Sequence, residues 1–323
     1  MKVITALGIA ALSAVAVGAF LYDQNNHLTV TEYTLEGNFG KEWDGFKILH
    51  LSDLHGKSFG KNQKRLLAAT EKISPDIIVF TGDSIHAHKR EMFAESRRKR
   101  GQGMDVTKLL KVEFENKSEK FKRIYEEQIK DVCNYVSEAS KKRNVYIVAG
   151  NHERMSGAYT QFKKAVLAAG ATVLEDSEVV LERGGKRISL LGHFDLAQEC
   201  STLKKDDRIS AFFGMLDEKL ENLKKCCSTD YSLLLSHRPE FYDYYEKYGF
   251  DAVLCGHAHG GQLRLPFIGG VVAPNQGYFP KYTSGLHKFG KTQMIISRGL
   301  GNSSFPQRMF NRPELVVITL KST

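Results

Sequence analysis

The stretch FKILHLSDLHG, Phe46 to Gly56, is a short apolar run that ends in polar residues and glycine. This is the pattern of a buried strand handing its last residues to a loop. The same unit recurs as PDIIVFTGDS (Pro75 to Ser84), NVYIVAGNHE (Asn144 to Glu153), YSLLLSHRPE (Tyr231 to Glu240) and FDAVLCGHAHGG (Phe250 to Gly261). Helical patterning lies between the units, at KNQKRLLAATEKIS, from about Tyr159 to Ala169, from about Asp206 to Lys225, and at PEFYDYYEKYG. Strands that alternate with helices predict βαβ units and an α/β fold with a largely parallel sheet. Ligands of such sheets bind beyond the carboxyl ends of the strands, and all five polar loops lie there.

The rest of the chain is read around that frame. HLTVTEYTLE predicts an edge strand, ATVLED and EVVLERGGKRISLLGHF predict short strands with a hairpin turn at Gly184-Gly185, and PELVVITL closes the chain as a strand. Residues 28–323 are read as one domain that carries a basic helical insertion at about 87–142, including RRKRGQG. The formal charge of +9 suits an anionic partner without selecting one. The five cysteines contain no CxxC pair, so neither a disulfide framework nor a zinc–thiolate site is expected.

Residues 1–27 stand apart. The run Val3 to Tyr22 carries no charge, and at about 1.5 Å rise per residue it can cross a hydrocarbon core of about 30 Å. Lys2 precedes it and Asp23, Glu32 and Glu36 follow. The expectation is a single-pass transmembrane anchor with the body outside the cytoplasm. A cleaved signal segment, and hence a secreted body, is the alternative.

The five loops offer Asp53 and His55, Asp83, Asn151 and His152, His237, and His257 and His259. Carboxylates, imidazoles and one carboxamide, without thiolate, suit divalent Mn, Fe or Zn. In SDLH and GHAH the paired donors are one residue apart, which places both on one side of an extended or turn segment. Neighbouring glycines let the backbone turn tightly. A carboxylate such as Asp83 can bridge two cations. Singly these residues say little, but five such loops after five buried strands form a strong joint signal. His50 is expected to be buried within its strand and His86 and His88 to be exposed loop residues; His193 is assigned no role, the alternative being that it shapes the site with Asp195.

The order D-x-H, GD, GNHE, H, GH-x-H resembles that of the calcineurin-like metallophosphoesterases. Further likeness, in GHAHGGQLRLP, SHRPE and RGLGNSSFPQRMFNRPELVVITL, is to a bacterial membrane-associated phosphodiesterase branch that includes enzymes hydrolysing UDP-2,3-diacylglucosamine. The resemblance spans Thr29 to Leu320 apart from Ala87–Lys142. It implies a four-layer αββα sandwich and two divalent metal ions. Asp53, His55 and His259 would take one ion, Asn151, His237 and His257 the other, and Asp83 would bridge. His152 would protonate the leaving group or stabilise the transition state, and Arg264 and Arg238 would contact phosphoryl oxygens. Two cations about 3.5–4 Å apart offset phosphate charge and acidify a water for in-line attack. The expected substrate is a phosphodiester or pyrophosphate of a phosphorylated lipid, small molecule or cell-envelope component. Two alternatives are a nuclease or cyclic-nucleotide phosphodiesterase, and a non-catalytic, metal-stabilised membrane-binding module. Nucleic acid is not the expected partner, because the chain lacks interleaved aromatic and basic residues for base stacking.

Overall fold

The computed structural model describes residues 2–88, 114, 117–196, 205–303 and 305–323. Helix α1 (Lys2–Asn26) leads into β1 (Thr29–Gly37), β2 (Lys47–Leu51), α2 (Lys64–Ile73) and β3 (Ile77–Thr81). Next come α3 (Glu119–Ala139), β4 (Asn144–Val148), α4 (Asn151–Ser156), α5 (Tyr159–Ala168) and β5 (Ala171–Val173). The second half contains β6 (Ser177–Arg183), β7 (Lys186–Gly192), α6 (Lys205–Lys225), β8 (Ser232–Leu235), α7 (Tyr242–Lys247) and β9 (Ala252–Cys255). Two short hairpins follow, β10 (Arg264–Leu265) with β11 (Gly269–Gly270), and β12 (Val272–Ala273) with β13 (Gly277–Tyr278). The chain closes with β14 (Gly285–Phe289), β15 (Thr292–Ile296) and β16 (Glu314–Ser322).

The strands form two six-stranded sheets, in the orders β1-β16-β2-β3-β4-β5 and β14-β15-β9-β8-β7-β6. Within the first, β2, β3, β4 and β5 are parallel; within the second, β15, β9, β8 and β7 are parallel. Alternation along each strand divides the apolar side chains between two faces. Ile48, Ile77, Val79, Tyr146 and Val148 of the first sheet meet Leu190, Leu233, Leu235, Leu254 and Ile295 of the second in one buried cluster. Their strand neighbours Leu49, Ile78, Phe80 and Ile147 face outward into a second cluster, which the first sheet shares with Leu66 of α2 and Phe162 of α5. Leu234, Val253, Cys255 and Ile296 face a third, with Leu216 and Leu220 of α6 and Tyr245 of α7. The layers are therefore helices, sheet, sheet, helices.

Strands β2, β3, β4, β8 and β9 are the five strands of the sequence reading, and each ends where its polar loop begins. Their four- or five-residue lengths and continuous burial fit the central strands of parallel sheets. Gly184 and Gly185, with φ of 57° and 79°, make the turn that joins β6 to β7.

Helix α3 is the helical half of the 87–142 segment. Phe121, Tyr125, Ile129, Val132, Tyr135, Val136 and Ala139 form its buried stripe, at a spacing that keeps one helix face turned to the sheet. It is a core element of the first sheet's outer layer. The RRKRGQG run lies outside the described residues.

Helix α1 contains the uncharged run. Its last turns are fastened to the body: Arg65 Nη2 donates to Asn26 O at 2.6 Å, Lys57 donates to Asn25 O, and Arg312 Nε donates to Asp23 Oδ2 at 2.8 Å. Among the described residues no helix is long and apolar enough to cross a membrane. The side chains of residues 1–11, half of the run behind the anchor expectation, lie outside that description. The expected transmembrane or signal segment thus finds no support in the fold.

Candidate metal centre

The site lies where the carboxyl ends of the two sheets meet. Contact there is too close for side chains at two glycines. A Cβ on Gly256 would stand 1.8 Å from Ser52 Oγ and 2.3 Å from Asp53 Oδ2, and one on Gly82 would stand 2.6 Å from the Gly150 backbone. The backbone is bent hard at the donors themselves. Asp53, His55, Asp83, His257 and His259 all have φ between 49° and 64°, a left-handed conformation that non-glycine residues adopt rarely and at a cost. Such outliers gathered at one point mark a functional site.

Seven predicted ligands converge there, all buried. Asp53, His55 and His259 form one group that could hold a cation, and Asp83, His237 and His257 a second; in each the donor atoms lie within 4.8 Å of one another. Asn151 Oδ1 completes the second, 3.1 Å from His237 Nε2. Asp83 Oδ2 lies between the groups, 3.2 Å from His237 Nε2 and 3.6 Å from His55 Nε2.

The donor chemistry tests whether these residues fit metal ions. His237 Nδ1 donates to Thr81 O at 2.7 Å, so in the neutral ring Nε2 carries the lone pair. That atom faces Asn151 Oδ1 and His257 Nδ1, each at 3.1 Å, as well as Asp83 Oδ2. In the other group His55 Nε2 and His259 Nε2 are 2.9 Å apart, with Asp53 Oδ1 3.2 Å from His259. Oxygen and nitrogen donors gathered this closely in a buried site suit a cation between them. Burial holds His55, His257 and His259 well below the usual imidazole range, which keeps their rings neutral and ready to ligate. Burial also works against a charge on His237, but the Asp83 carboxylate outweighs it and pushes this ring up to about 10. Burial raises Asp53 to about 6. It would raise Asp83 too, yet His237 and His152 hold that carboxyl well below its ordinary value. The set fits two divalent ions, and without them a proton on His237 takes the place of one positive charge.

Around the ligands is a layer that fixes them. Glu153 Oε2 accepts from Asp83 N and Gly150 N, each at 2.9 Å, and Oε1 accepts from Ser84 N and Ile85 N. One carboxylate thereby ties the β3 loop to the start of α4, and burial pushes it up to about 7. The peptide N–H of His257 donates to Asp53 Oδ2 at 3.0 Å, that of His152 donates to Asp83 Oδ1 at 2.7 Å, and Asn311 Nδ2 donates to His259 O at 2.7 Å. His152 itself accepts from Ala87 N through Nδ1 at 2.9 Å. Its proton therefore sits on Nε2, the atom 4.0 Å from Asp83 Oδ2.

The two arginines part company. Arg238 is clamped by Asp195, with Nε 2.6 Å from Oδ2, and its Nη1 reaches within 3.5 Å of His257 Nε2, at the edge of the site. Arg264 Nη1 donates to Gly260 O at 2.9 Å and to Ser284 Oγ at 3.0 Å, which fastens the β10–β11 hairpin to the His259 turn. Of the remaining histidines, His50 is buried, with Nε2 2.8 Å from Thr81 Oγ1. His193 Nδ1 lies 3.0 Å from Asp176 Oδ1. His86, expected to be exposed, is half-buried, with Nδ1 3.2 Å from His55 Nδ1, and belongs to a third candidate group with His55 and His152. The single residue between His86 and His88 was the available signal, but only the β3 loop's return across His55 gives it meaning. Glu153 was visible in GNHE; its four N–H partners were not.

Two sheets deliver carboxylates and imidazoles to one buried point, a donor set suited to divalent metal ions. The chain belongs to the calcineurin-like phosphoesterase family, whose sequence model matches residues 46–261. It is 28% identical over 306 residues to the uncharacterized metallophosphoesterase YkuE of Bacillus subtilis (strain 168), covering 94% of this chain and 88% of that one. It is 30% identical over 174 residues to the phosphodiesterase YaeI of Escherichia coli (strain K12), with coverage of 53% and 56%. To the UDP-2,3-diacylglucosamine pyrophosphatase LpxG of Chlamydia muridarum (strain MoPn / Nigg) it is 24% identical over 297 residues, with coverage of 85% and 83%.

Proposed function

We propose that this metallophosphoesterase is a binuclear enzyme that hydrolyses a phosphodiester or pyrophosphate of a lipid-linked or cell-envelope substrate. The observation that carries the reading is the position of Asp83 Oδ2, within 3.6 Å of a donor from each candidate group. Two divalent ions bound there supply charge neutralisation at phosphorus and acidify water. Asp53, His55 and His259 would hold one, Asn151, His237 and His257 the other, and Asp83 would serve both. His152 keeps its proton on Nε2 because Ala87 N–H occupies Nδ1, so it can donate to the departing oxygen, a role worth typically about 10²–10⁴-fold. Arg238, held by Asp195, meets a phosphoryl oxygen at the edge of the second group. Arg264 supports the His259 turn and acts on substrate only through it.

The substrate class is supported by the activities for which LpxG and YaeI are named and by a basic chain suited to anionic headgroups. Placement at a membrane with the body outside the cytoplasm belongs to the same proposal, and its support is the uncharged run Val3 to Tyr22. The test is Mn-dependent hydrolysis of bis(p-nitrophenyl) phosphate, with p-nitrophenyl phosphate and UDP-linked lipids alongside. Asp83→Ala is expected to abolish turnover and lower the bound metal. Full activity in that variant refutes the shared-ligand reading.

A further inference from the structure

The segment that follows Asp83 runs beside the β2 loop as a backbone pair. His55 N donates to Asp83 O at 2.8 Å, and Gly56 N donates to Ser84 O at 2.9 Å. A little further on, His86 sets its ring across that of His55, with centroids 5.2 Å apart and planes at 68°. Its Nδ1 lies 3.2 Å from His55 Nδ1. His152 packs against both rings, its centroid 4.5 Å from that of His55 and 4.9 Å from that of His86.

Ring chemistry gives that contact a direction. A neutral imidazole has one N–H and one lone pair. His55 Nε2 is the atom turned to the first cation group, 2.9 Å from His259 Nε2 and 3.6 Å from Asp83 Oδ2. With an ion on Nε2, the proton of His55 is on Nδ1, and His86 Nδ1 is the acceptor facing it. A metal-ligating histidine regularly gives its outer N–H to a carboxylate, a carbonyl or water, and that partner sets the tautomer and the ring orientation. For His55 another imidazole stands in that place. The same count leaves His55 no second lone pair for an ion shared with His86.

His86 is itself held from α3. Its N–H donates to Gln128 Oε1 at 2.6 Å, and Gln128 Nε2 lies 3.0 Å from His88 Nε2. The Gln128 side chain lies directly against the residue after His55: a Cβ on Gly56 would stand 2.4 Å from Gln128 Cγ. Between the two histidines, Ala87 gives its N–H to His152 Nδ1. One side chain of α3 thus pins a short segment that touches His55 on one side and His152 on the other. We propose that His86 is a positioning residue for the first cation group, accepting from His55 Nδ1–H so that Nε2 is presented to the ion, and that Gln128 holds His86 in place. The proposal rests on the binuclear reading, and its test separates the two.

The test reads metal binding and proton position rather than turnover. His86→Phe keeps a ring of similar size and removes the acceptor, whereas His86→Asn keeps an acceptor close to the place of Nδ1. In calorimetric titration of the full chain with Mn, His86→Phe is expected to weaken one of the two binding steps by about 10–100-fold and leave the other unchanged. His86→Asn should recover most of that loss, and Gln128→Met should weaken the same step. In the zinc-loaded wild-type protein, imidazole proton–nitrogen NMR correlations should place the His55 proton on Nδ1. Two steps of wild-type affinity in His86→Phe overturn the proposal while leaving the binuclear reading intact, and equal weakening of both steps overturns it as a general loosening of the loops. Loss of a third Mn equivalent, with the other two unchanged, also overturns it and makes His86 a ligand. Wild-type affinity in Gln128→Met overturns the part given to α3. A His55 proton on Nε2 overturns the proposal without any variant, so a variant that fails to fold does not protect it. Wild-type protein that takes a single ion overturns the binuclear reading, and this proposal with it.

Discussion

Loading the second cation group should cost a proton, and the first group should not. In the metal-free protein His237 Nε2 faces Asn151 Oδ1, His257 Nδ1 and Asp83 Oδ2, and the Asp83 carboxylate pushes this ring up to about 10. His55 and His259 are held neutral by burial, and Asp53, at about 6, is ionised above neutral pH. An ion entering beside Asp83 must therefore displace one proton from His237. Between pH 7.5 and 9 its affinity should rise roughly tenfold per pH unit, the slope of one displaced proton, while the other step stays nearly flat. Thermal stability is the wrong readout. The raised His237 stabilises the fold fully below 6.5, and that stability fades as pH climbs toward about 10. Burial pushes Lys57 down from 10.5 to about 7, so the unfolded chain binds more protons there and stability climbs over the same window. The two slopes oppose each other, and metal affinity isolates His237. The assay is calorimetric titration with Mn in two buffers of different ionisation enthalpy. It should show two steps, one of which releases about one proton per chain. Two pH-independent steps without proton release would refute the assignment of a proton to His237 beside Asp83.

His152→Ala should lower kcat by about 10²–10⁴-fold while bound metal, measured by elemental analysis, stays unchanged. Gly256→Ala drives a Cβ into Ser52 and Asp53, and it should displace the β2 loop, costing about 1–3 kcal/mol in urea unfolding along with much of the metal affinity. Glu153→Gln removes the charge that ties four buried N–H groups together. A destabilisation of about 1–3 kcal/mol per group left unpaired should appear in the same unfolding assay. Tyr125→Ala on α3 should cost about 3–5 kcal/mol, since Tyr125 is fully buried in the first sheet's outer core; a change near zero would remove α3 from the core.

The metal donors were legible because each is local: strand, then glycine or small residue, then ligand, repeated at five strand ends. Burial periodicity found β2, β3, β4, β8 and β9 for the same reason, since alternation and apolar runs are properties of a few consecutive residues. Helix α3 was legible as a helix but was read as part of an insertion, because its charged outer face dominates the composition and its buried stripe makes sense only once a sheet lies beneath it.

What the sequence alone determined is the chemistry available, namely seven oxygen and nitrogen donors and one further histidine, and the strand ends that carry them. Tertiary structure decided how they act. Thr81 and His237 are 156 residues apart in the chain, yet their hydrogen bond selects the ring nitrogen that faces a cation. Glu153 reaches back 70 residues to the peptide of Asp83, and His86 comes to rest against His55. No local pattern encodes such pairings: those of Glu153 with Asp83 and of His86 with His55 exist only once β2, β3 and β4 lie side by side in one sheet, and that of Thr81 with His237 only once the second sheet packs on the first. Packing fixed tautomer, charge and orientation, and those three properties turn a list of ligands into a site.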